Sequence, residues 1–280
     1  MTCLNLGCGS RFHPTWVNLD FASTHPGVRA HDLALGIPFG DESVDVVYDS
    51  HVLEHFTKED GRRLIRECFR VLRTGGLIRV AVPDLETIAR LYLQSMEQAL
   101  LGTKEGAANY EWMMIELYDQ AVRHLPGGEA LRHLLNDELA NEEFVIMRWS
   151  VEAKKNLPRF RRNEKQALPK ESVWKRSARS IYHFLRDPQK WHEAVVRRVL
   201  DAEYETLKLG RFRRGGSVHL WMYDRYSLGT LLKSVGFEEI VQRTATESFV
   251  PDWSRFHLDT EPDGTLYKPD SLFMEARKPL

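Results

Sequence analysis

The sequence has little of what would place it in a specialised class. Only three cysteines (Cys3, Cys8 and Cys68) occur in 280 residues. They are too few and too scattered for a disulfide framework or a cysteine-based zinc cluster, and they suit small buried hydrophobes in a reducing cytoplasm. No run approaches the length of apolar residues that a membrane-crossing helix needs. The opening MTCLNLGCGS lacks the basic start and long apolar stretch of a signal peptide. There is no internal repeat and no low-complexity tract. What remains, with 42% hydrophobic and 28% charged residues, is an ordinary soluble globular composition rather than a disordered, collagen-like or coiled-coil one. The length suffices for one large domain, or for one domain with a sizeable insertion.

The net charge of −1 hides a strong local pattern. Residues 84–150 carry a net −7 and residues 151–215 a net +10. The flanking segments are nearly balanced.

Residues 1–83 read as strands alternating with connections. Cys3–Leu6, Trp16–Leu19, Val44–Tyr48 and Leu77–Val82 are short apolar runs, and Pro83 ends the last. Between the final two, Leu64, Ile65, Cys68, Phe69 and Leu72 share one helical face, with Thr57 as N-cap and Gly75-Gly76 as the expected stop. Such alternation predicts a parallel α/β sheet. The pattern resumes after residue 216. A helix is expected over Tyr226–Val235, closed by Gly236, and then strands at Phe237–Arg243 and Ser271–Arg277 as an antiparallel pair. Residues 84–215 look helical and are too long for a simple crossover. The expected organisation is therefore a sheet domain from 1–83 and 216–280, with 84–215 as a helical insertion or lid.

The first strand runs into Gly7-Cys8-Gly9-Ser10, a turn that lets backbone approach a ligand. A Walker loop is excluded, since no Gly-Lys-Ser/Thr follows. A dinucleotide fingerprint is a poor match, because Phe12 stands where its third glycine belongs and no helix fits before the next strand. A ligand without phosphates, held by backbone and carboxylates, suits the pattern better. Asp20 ends the second strand, where ligands of open α/β sheets bind, and its carboxylate could accept from a ribose diol. Asp32 could accept from an exocyclic amino group. Either aspartate alone could equally be a turn residue or a cap.

Taken together, LNLGCGS, WVNLD, HDLALGIPFGDESVDVVYDSHVLEHF and RECFRVLRTGGLIRVAVPD resemble class I S-adenosylmethionine-dependent methyltransferases. The branch is the type 11-like domain with an LNLGCG opening, associated with saccharide and glycolipid modification. The resemblance covers residues 4–84 densely and 217–277 loosely. It implies a Rossmann-like, doubly wound sheet of seven strands with a reversed last strand, and S-adenosyl-L-methionine as cofactor. It further implies that Asn5, Gly7, Cys8 and Gly9 border the methionine part, that Asp20 holds the ribose, that Asp32 and Leu33 meet the adenine, and that Ser50 and His51 line the sulfonium side. Asn5 replaces the acidic residue usual at its place, Arg11 replaces the third glycine, and the first helix is shortened to a loop.

His51-Val52-Leu53-Glu54-His55 spells H-x-x-E-H, which is also an inverted zinc-protease string. That reading needs a helix and a further ligand. A similar E-x-x-E-H occurs at this place in metal-assisted methyltransferases, but His51 stands where their first glutamate is. No metal is expected, and activity is expected to survive EDTA. His51, His55 and His219 are the candidates to take a proton from the acceptor. His219 opens a second cluster, His219-Leu220-Trp221-Met222-Tyr223-Asp224, readable as a polyol-binding wall or as core residues followed by a helix cap.

The basic stretch interleaves Lys154, Lys155, Arg159, Arg161, Arg162, Lys175, Arg176, Arg179, Arg197 and Arg198 with Trp174, Tyr182, Phe184 and Trp191. It reads as a solvated face, as a contact of 151–215 with an anionic membrane or lipid-linked substrate, or, with less support, as a nucleic-acid surface. The expectation is a cytoplasmic enzyme, peripheral at the inner membrane face, that methylates an oxygen of a small-molecule, saccharide or lipid-linked glycan acceptor. The alternatives are a tRNA or protein methyltransferase and a non-catalytic S-adenosylmethionine-binding regulator.

Overall fold

The structure is a computed structural model that describes residues 1–280 apart from 24, 137, 159 and 161–187. Seven strands form one sheet: β1 (Cys3–Leu6), β2 (Val17–Asp20), β3 (Val28–Ala30), β4 (Val44–Ser50), β5 (Leu72–Pro83), β6 (Glu238–Arg243) and β7 (Ser271–Arg277). Their order is β3-β2-β1-β4-β5-β7-β6. β1 to β5 pair in parallel, while β7 is antiparallel to both β5 and β6. The order reverses between β1 and β4, so the carboxyl ends of those two strands flank the switch point where open α/β sheets bind ligands.

One face of the sheet is covered by α1 (Lys58–Val71) and by the last helix, Arg225–Val235. Leu64, Ile65 and Cys68 from the first and Leu228 and Leu232 from the second pack on Leu4, Leu6, Val47, Ile78 and Val80 of the strands. Thr57 caps α1 as expected, its hydroxyl accepting from Asp60 N. The end of α1 departs from expectation. The helix stops at Val71, and buried Leu72 turns directly into β5, opposite Val44. Gly75-Gly76 lies inside the strand, where Gly75 N–H bonds Lys278 O at 3.0 Å. A buried strand position for Leu72 outweighs its helical spacing.

The opposite face is closed by a loop rather than a helix. Trp253, Phe256 and Leu258 pack against Trp16, Tyr48 and Val46. Arg79, on β5, anchors that loop. Its guanidinium, fully buried, bonds Asp259 Oδ2 at 2.8 and 2.9 Å, Glu275 Oε1 at 2.9 Å, and the carbonyls of Thr244 and Glu247. Tyr48 Oη donates to the other oxygen of Asp259 at 2.5 Å.

Between β5 and the final helix the described chain is helical: α2 (Leu85–Leu100), α3 (Lys104–Val122), α4 (Gly128–Leu134), α5 (Glu142–Asn156), α6 (Pro188–Leu200) and α7 (Glu203–Arg214), before α8 (Arg225–Val235). Ile88, Trp112, Met113, Leu134, Val145 and Ala153 give α2 to α5 a core of their own. Inside it, Arg148 holds Glu116 through a fork of bonds, the shortest 2.7 Å. The expected helix around Ile181, Phe184 and Leu185 lies outside the described residues, as do Arg159, Arg161, Arg162, Trp174, Lys175, Arg176, Arg179 and Tyr182.

Candidate active site

The glycine turn leaves the carboxyl end of β1 with left-handed backbone at Gly7 (φ 58°) and Gly9 (φ 53°). A Cβ on Gly7 would lie 2.2 Å from Val52 Cγ2, whereas the space beyond Gly9 is open. Only glycine fits the first position, and the second leaves its backbone free to meet a ligand. No helix follows the turn, as expected. Instead, Arg11 leaves it toward the loop after β6, where its guanidinium bonds Thr260 O at 2.9 Å, pairs with Glu261 at 3.1 Å and sits 4.0 Å over the Tyr267 ring. The result is a cleft of about 230 Å³ bordered by the turn, Tyr48, Ser50, His51, Tyr267 and Lys268.

The residues expected around a cofactor are distributed as follows. Gly7, Cys8, Gly9, Ser50 and His51 line this cleft. Asn5 also borders it, but its side-chain amide is occupied with Arg11 O at 3.0 Å and Asn18 Oδ1 at 3.1 Å. It shapes the turn and has no free donor to offer. Burial pushes the Cys8 thiol up to about 11, so it is no thiolate nucleophile at neutral pH. Asp20 lies outside the cleft lining, and its Oδ2 accepts the Gly9 N–H at 2.7 Å. Asp32 caps a 3₁₀ turn (Leu33–Leu35) by accepting from Ala34 N at 2.9 Å, and Leu33 packs on the main core. The cap reading therefore describes Asp32 here.

A second cavity, of about 140 Å³, adjoins the first and shares His51 and Lys268 with it. Its floor is Glu54, His55 and His219, and its walls include Gln120 of α3, Arg123 just after it, and Trp149 and Glu152 of α5. Thus the helical segment, not the sheet, supplies one side of it. The H-x-x-E-H string lies on a strand end and a 3₁₀ turn (Leu53–His55), which removes the zinc-protease reading. His51 adopts φ 55°, an uncommon conformation for a non-glycine residue that costs about 1–2 kcal/mol. It is held there by His51 N–H to Ala81 O at 2.8 Å, by Nε2 to Ser271 Oγ at 2.7 Å, and by Nδ1 lying 3.2 Å from Glu54 Oε1. Strain of this kind concentrates at functional positions.

His219 comes back to the site across the whole insertion. Its N–H bonds Gln120 O at 2.9 Å, while Leu220 N–H bonds Glu54 O at 2.7 Å. Its Nε2 stands 3.8 Å from Glu54 Oε1, and its ring meets that of His55 edge-on at 4.9 Å. Burial pushes the His219 imidazole down to about 3 and lowers His55 as well, so both rings are neutral at physiological pH. Burial works against ionisation of Glu54, but the adjacent His51 outweighs it and holds the carboxyl below its ordinary range. The rest of the second cluster is mixed. Trp221 is partly exposed with Lys58 Nζ 5.2 Å from its ring, Met222 lines the cavity, Tyr223 is core, and Asp224 caps α8 in a capping box.

This geometry coincides with a known family over part of the chain. Residues 4–80 match the family described as a methyltransferase domain. A probable S-adenosylmethionine-dependent methyltransferase of Mycobacterium tuberculosis is 41% identical over 68 residues, 24% of this chain and 24% of that protein. One from Mycolicibacterium smegmatis is 43% identical over 53 residues, 19% of this chain and 20% of its own length. Over residues 4–80 the chain is thus similar to a methyltransferase domain. The matched stretch contains β1 to β5 up to Val80, the glycine turn, Asp20, Ser50 and the H-x-x-E-H string. It spans about a quarter of the length of the curated relatives, and α2 to α8, His219 and Lys268 fall beyond it. A S-adenosylmethionine-dependent methyltransferase structure from Archaeoglobus fulgidus aligns over 99% of this chain and 86% of its own at 11% identity, with a TM-score of 0.38. That likeness is too slight to bear on function.

Sequence reasoning missed Arg11, Tyr267, Lys268 and Ser271 as parts of the candidate site. All but Arg11 come from the loop before β7 or from its first residue, more than 200 positions after the turn they face. No local pattern marks them. The one available signal was Arg11 standing where the longer motif has a glycine.

Proposed function

We propose that the chain transfers a methyl group from S-adenosylmethionine to an oxygen of a small polar or saccharide acceptor. The observation that carries this reading is the pair of adjoining cavities with His51 common to both. One is walled by the glycine turn of the methyltransferase domain and suits the cofactor. The other holds four carboxylates (Glu54, Glu116, Glu152 and Asp270), two further imidazoles, Arg123, Gln120 and the Trp149 ring, a mixture suited to a polyol.

Bound side by side, the two substrates react by in-line displacement. The acceptor oxygen bonds to the methyl carbon, the carbon–sulfur bond breaks, and S-adenosylhomocysteine leaves with the electron pair. The sulfonium is already activated, so alignment and removal of one proton are the tasks left to the chain. His51 takes that proton. The contact of Nδ1 with Glu54 favours the tautomer whose Nε2 carries the lone pair, and Ser271 Oγ occupies that nitrogen in the structure. His55 and His219 face the acceptor oxygen from the cavity floor.

The helices of 84–215 would then select the acceptor while the sheet binds the cofactor. Val195 and Val199 form a short exposed row, four residues apart on α6, with Arg197 and Arg198 alongside. Such a row supports an acceptor presented at an anionic membrane surface, as a lipid-linked glycan would be.

The test is S-adenosylhomocysteine release on a panel of free sugars, sugar phosphates, lipid-linked glycans, tRNA and protein acceptors. Turnover is expected with hydroxyl acceptors, and His51→Ala should lower kcat by about 10²- to 10⁴-fold, the range for general acid–base catalysis. Cofactor binding without release on any acceptor would make the chain a regulator. Turnover confined to tRNA or protein would displace the saccharide reading.

A further inference from the structure

We infer that Glu54, His55 and His219 bind one divalent first-row transition-metal ion on the floor of the second cavity, with Zn²⁺ as its natural probe. One ligand atom from each lies within 4.8 Å of the other two. In a tetrahedral zinc site, bonds of about 2.0–2.1 Å put ligand atoms about 3.3 Å apart. Glu54 Oε1 and His219 Nε2 are already at 3.8 Å, so small side-chain shifts close the site.

Two further observations point to a ligand that completes the cluster. The Glu54 side chain is fully buried, yet neither of its oxygens accepts a well-aligned hydrogen bond among the described residues. Its nearest polar neighbours are the ring nitrogens of His51 and His219. With His51 at 3.2 Å as its one close polar neighbour, this buried carboxylate keeps room for a cation seated between it and the other two imidazoles. His55, in turn, has its Nδ1 3.0 Å from the Val218 carbonyl. An N–H there donates to the carbonyl and leaves Nε2 as a bare donor, the outer arrangement that metal-bound histidines almost always have.

The donor chemistry selects the metal. Two imidazoles and one carboxylate suit zinc, iron, cobalt or nickel, whereas magnesium and calcium take oxygen ligands. The frame is held by backbone bonds: Leu220 N–H to Glu54 O at 2.7 Å and His219 N–H to Gln120 O at 2.9 Å bind the two halves together. Three protein ligands leave a fourth position open toward the cavity, as in catalytic rather than structural sites. The expectation of no metal considered the H-x-x-E-H string alone. Folding adds His219 to it.

The consequence rests on the proposed methyl transfer, but the binding does not. An acceptor hydroxyl in the fourth position would have its pKa lowered by the ion, which would ease loss of its proton to His51.

The experiment separates the two claims by measuring metal binding without cofactor or acceptor. The full chain, stripped with EDTA and dialysed, is titrated with Zn²⁺ by calorimetry and with Co²⁺ by visible absorption. One ion per chain is expected, with a Zn²⁺ Kd below about 1 μM and the Co²⁺ bands of a four-coordinate nitrogen–oxygen site. His55→Ala and His219→Gln should each weaken Zn²⁺ at least about 10- to 100-fold, while the exposed-site control His192→Ala should not. S-adenosylhomocysteine binding and far-UV circular dichroism check that each variant is folded. Stripped chain that takes up neither ion overturns the inference, as does binding that persists in the folded His55→Ala/His219→Gln double variant. Metal binding with no methyl transfer would leave the site intact and remove only its proposed role.

Discussion

Replacing Arg79 by methionine tests whether the buried ion cluster under the second sheet face holds the cofactor side together. Arg79 is fully buried and makes five hydrogen bonds, three of them to Asp259 and Glu275 and two to the carbonyls of Thr244 and Glu247. Its guanidinium also lies 4.6 Å over the Trp253 ring. Methionine fills much of the volume but leaves buried Asp259 with no cation and Glu275 with Arg243 alone, at 3.5 Å. Removing one partner of a buried pair costs about 3–5 kcal/mol. Asp259 keeps Tyr48 Oη, and Glu275 keeps Ser248 Oγ and Phe249 N–H, which places the cost within that range rather than above it. A domain has only about 5–15 kcal/mol in all, so the urea midpoint should fall steeply. Tryptophan fluorescence follows it, since Trp253 stacks on the residue removed. The loop that Arg79 anchors continues through Asp259 to Tyr267 and Lys268 at the cofactor cleft, so S-adenosylhomocysteine affinity should drop in the same variant under native conditions. Arg79→Lys keeps the charge but loses the planar fork and should fall between the two. A loss under about 1 kcal/mol for Arg79→Met, with unchanged cofactor affinity, would refute the claim that this cluster organises the loop.

Other outcomes follow from single contacts. Asp20→Ala removes the acceptor of the Gly9 N–H and should weaken S-adenosylhomocysteine by about 1.5–3 kcal/mol in calorimetry, the range for a hydrogen bond to a charged group; unchanged affinity in a folded variant would remove Asp20 from the site. Asp49 is fully buried, and burial, followed by the Glu54 charge, raises its carboxyl well above the ordinary range. The folded chain therefore holds that proton to higher pH than the unfolded chain, and the stability it contributes is complete below the unfolded pKa of about 3.9 and lost as pH rises toward the folded value. Asp49→Asn should thus gain stability over the parent as pH goes from acid to neutral, read as the difference in melting temperature; a difference that shrinks with pH would reverse the sign argued here. Val195→Asp with Val199→Asp should abolish binding to anionic liposomes while leaving S-adenosylhomocysteine affinity unchanged, and liposome binding that survives would dismiss the membrane-facing role of α6.

The sequence by itself was enough for most strands of the sheet and for the glycine turn at its carboxyl edge. The Gly7–Gly9 turn, Asp20 at a strand end, Ser50 at the end of β4 with His51 after it, and the α1 face all depend on chain spacing within 80 residues, which period and turn chemistry report directly. It was also enough for α8, whose Asp224 cap and Gly236 stop are local. β3 escaped notice because it has three residues, two of them exposed, and no apolar alternation. The stop of α1 was misplaced because Leu72 satisfies both a helical face and a buried strand, and only pairing with Val44 decides between them. Tertiary structure alone decided the rest. It occupied the side chains of Asn5 and Asp32 with backbone and neighbouring side-chain partners. It closed the second sheet face with an aromatic loop tied by Arg79, and delivered Tyr267, Lys268 and His219 from distant segments. Those meetings depend on which strands pair and on where long connections return. Such contacts leave no periodic trace in the chain, since each is set by one residue at each end.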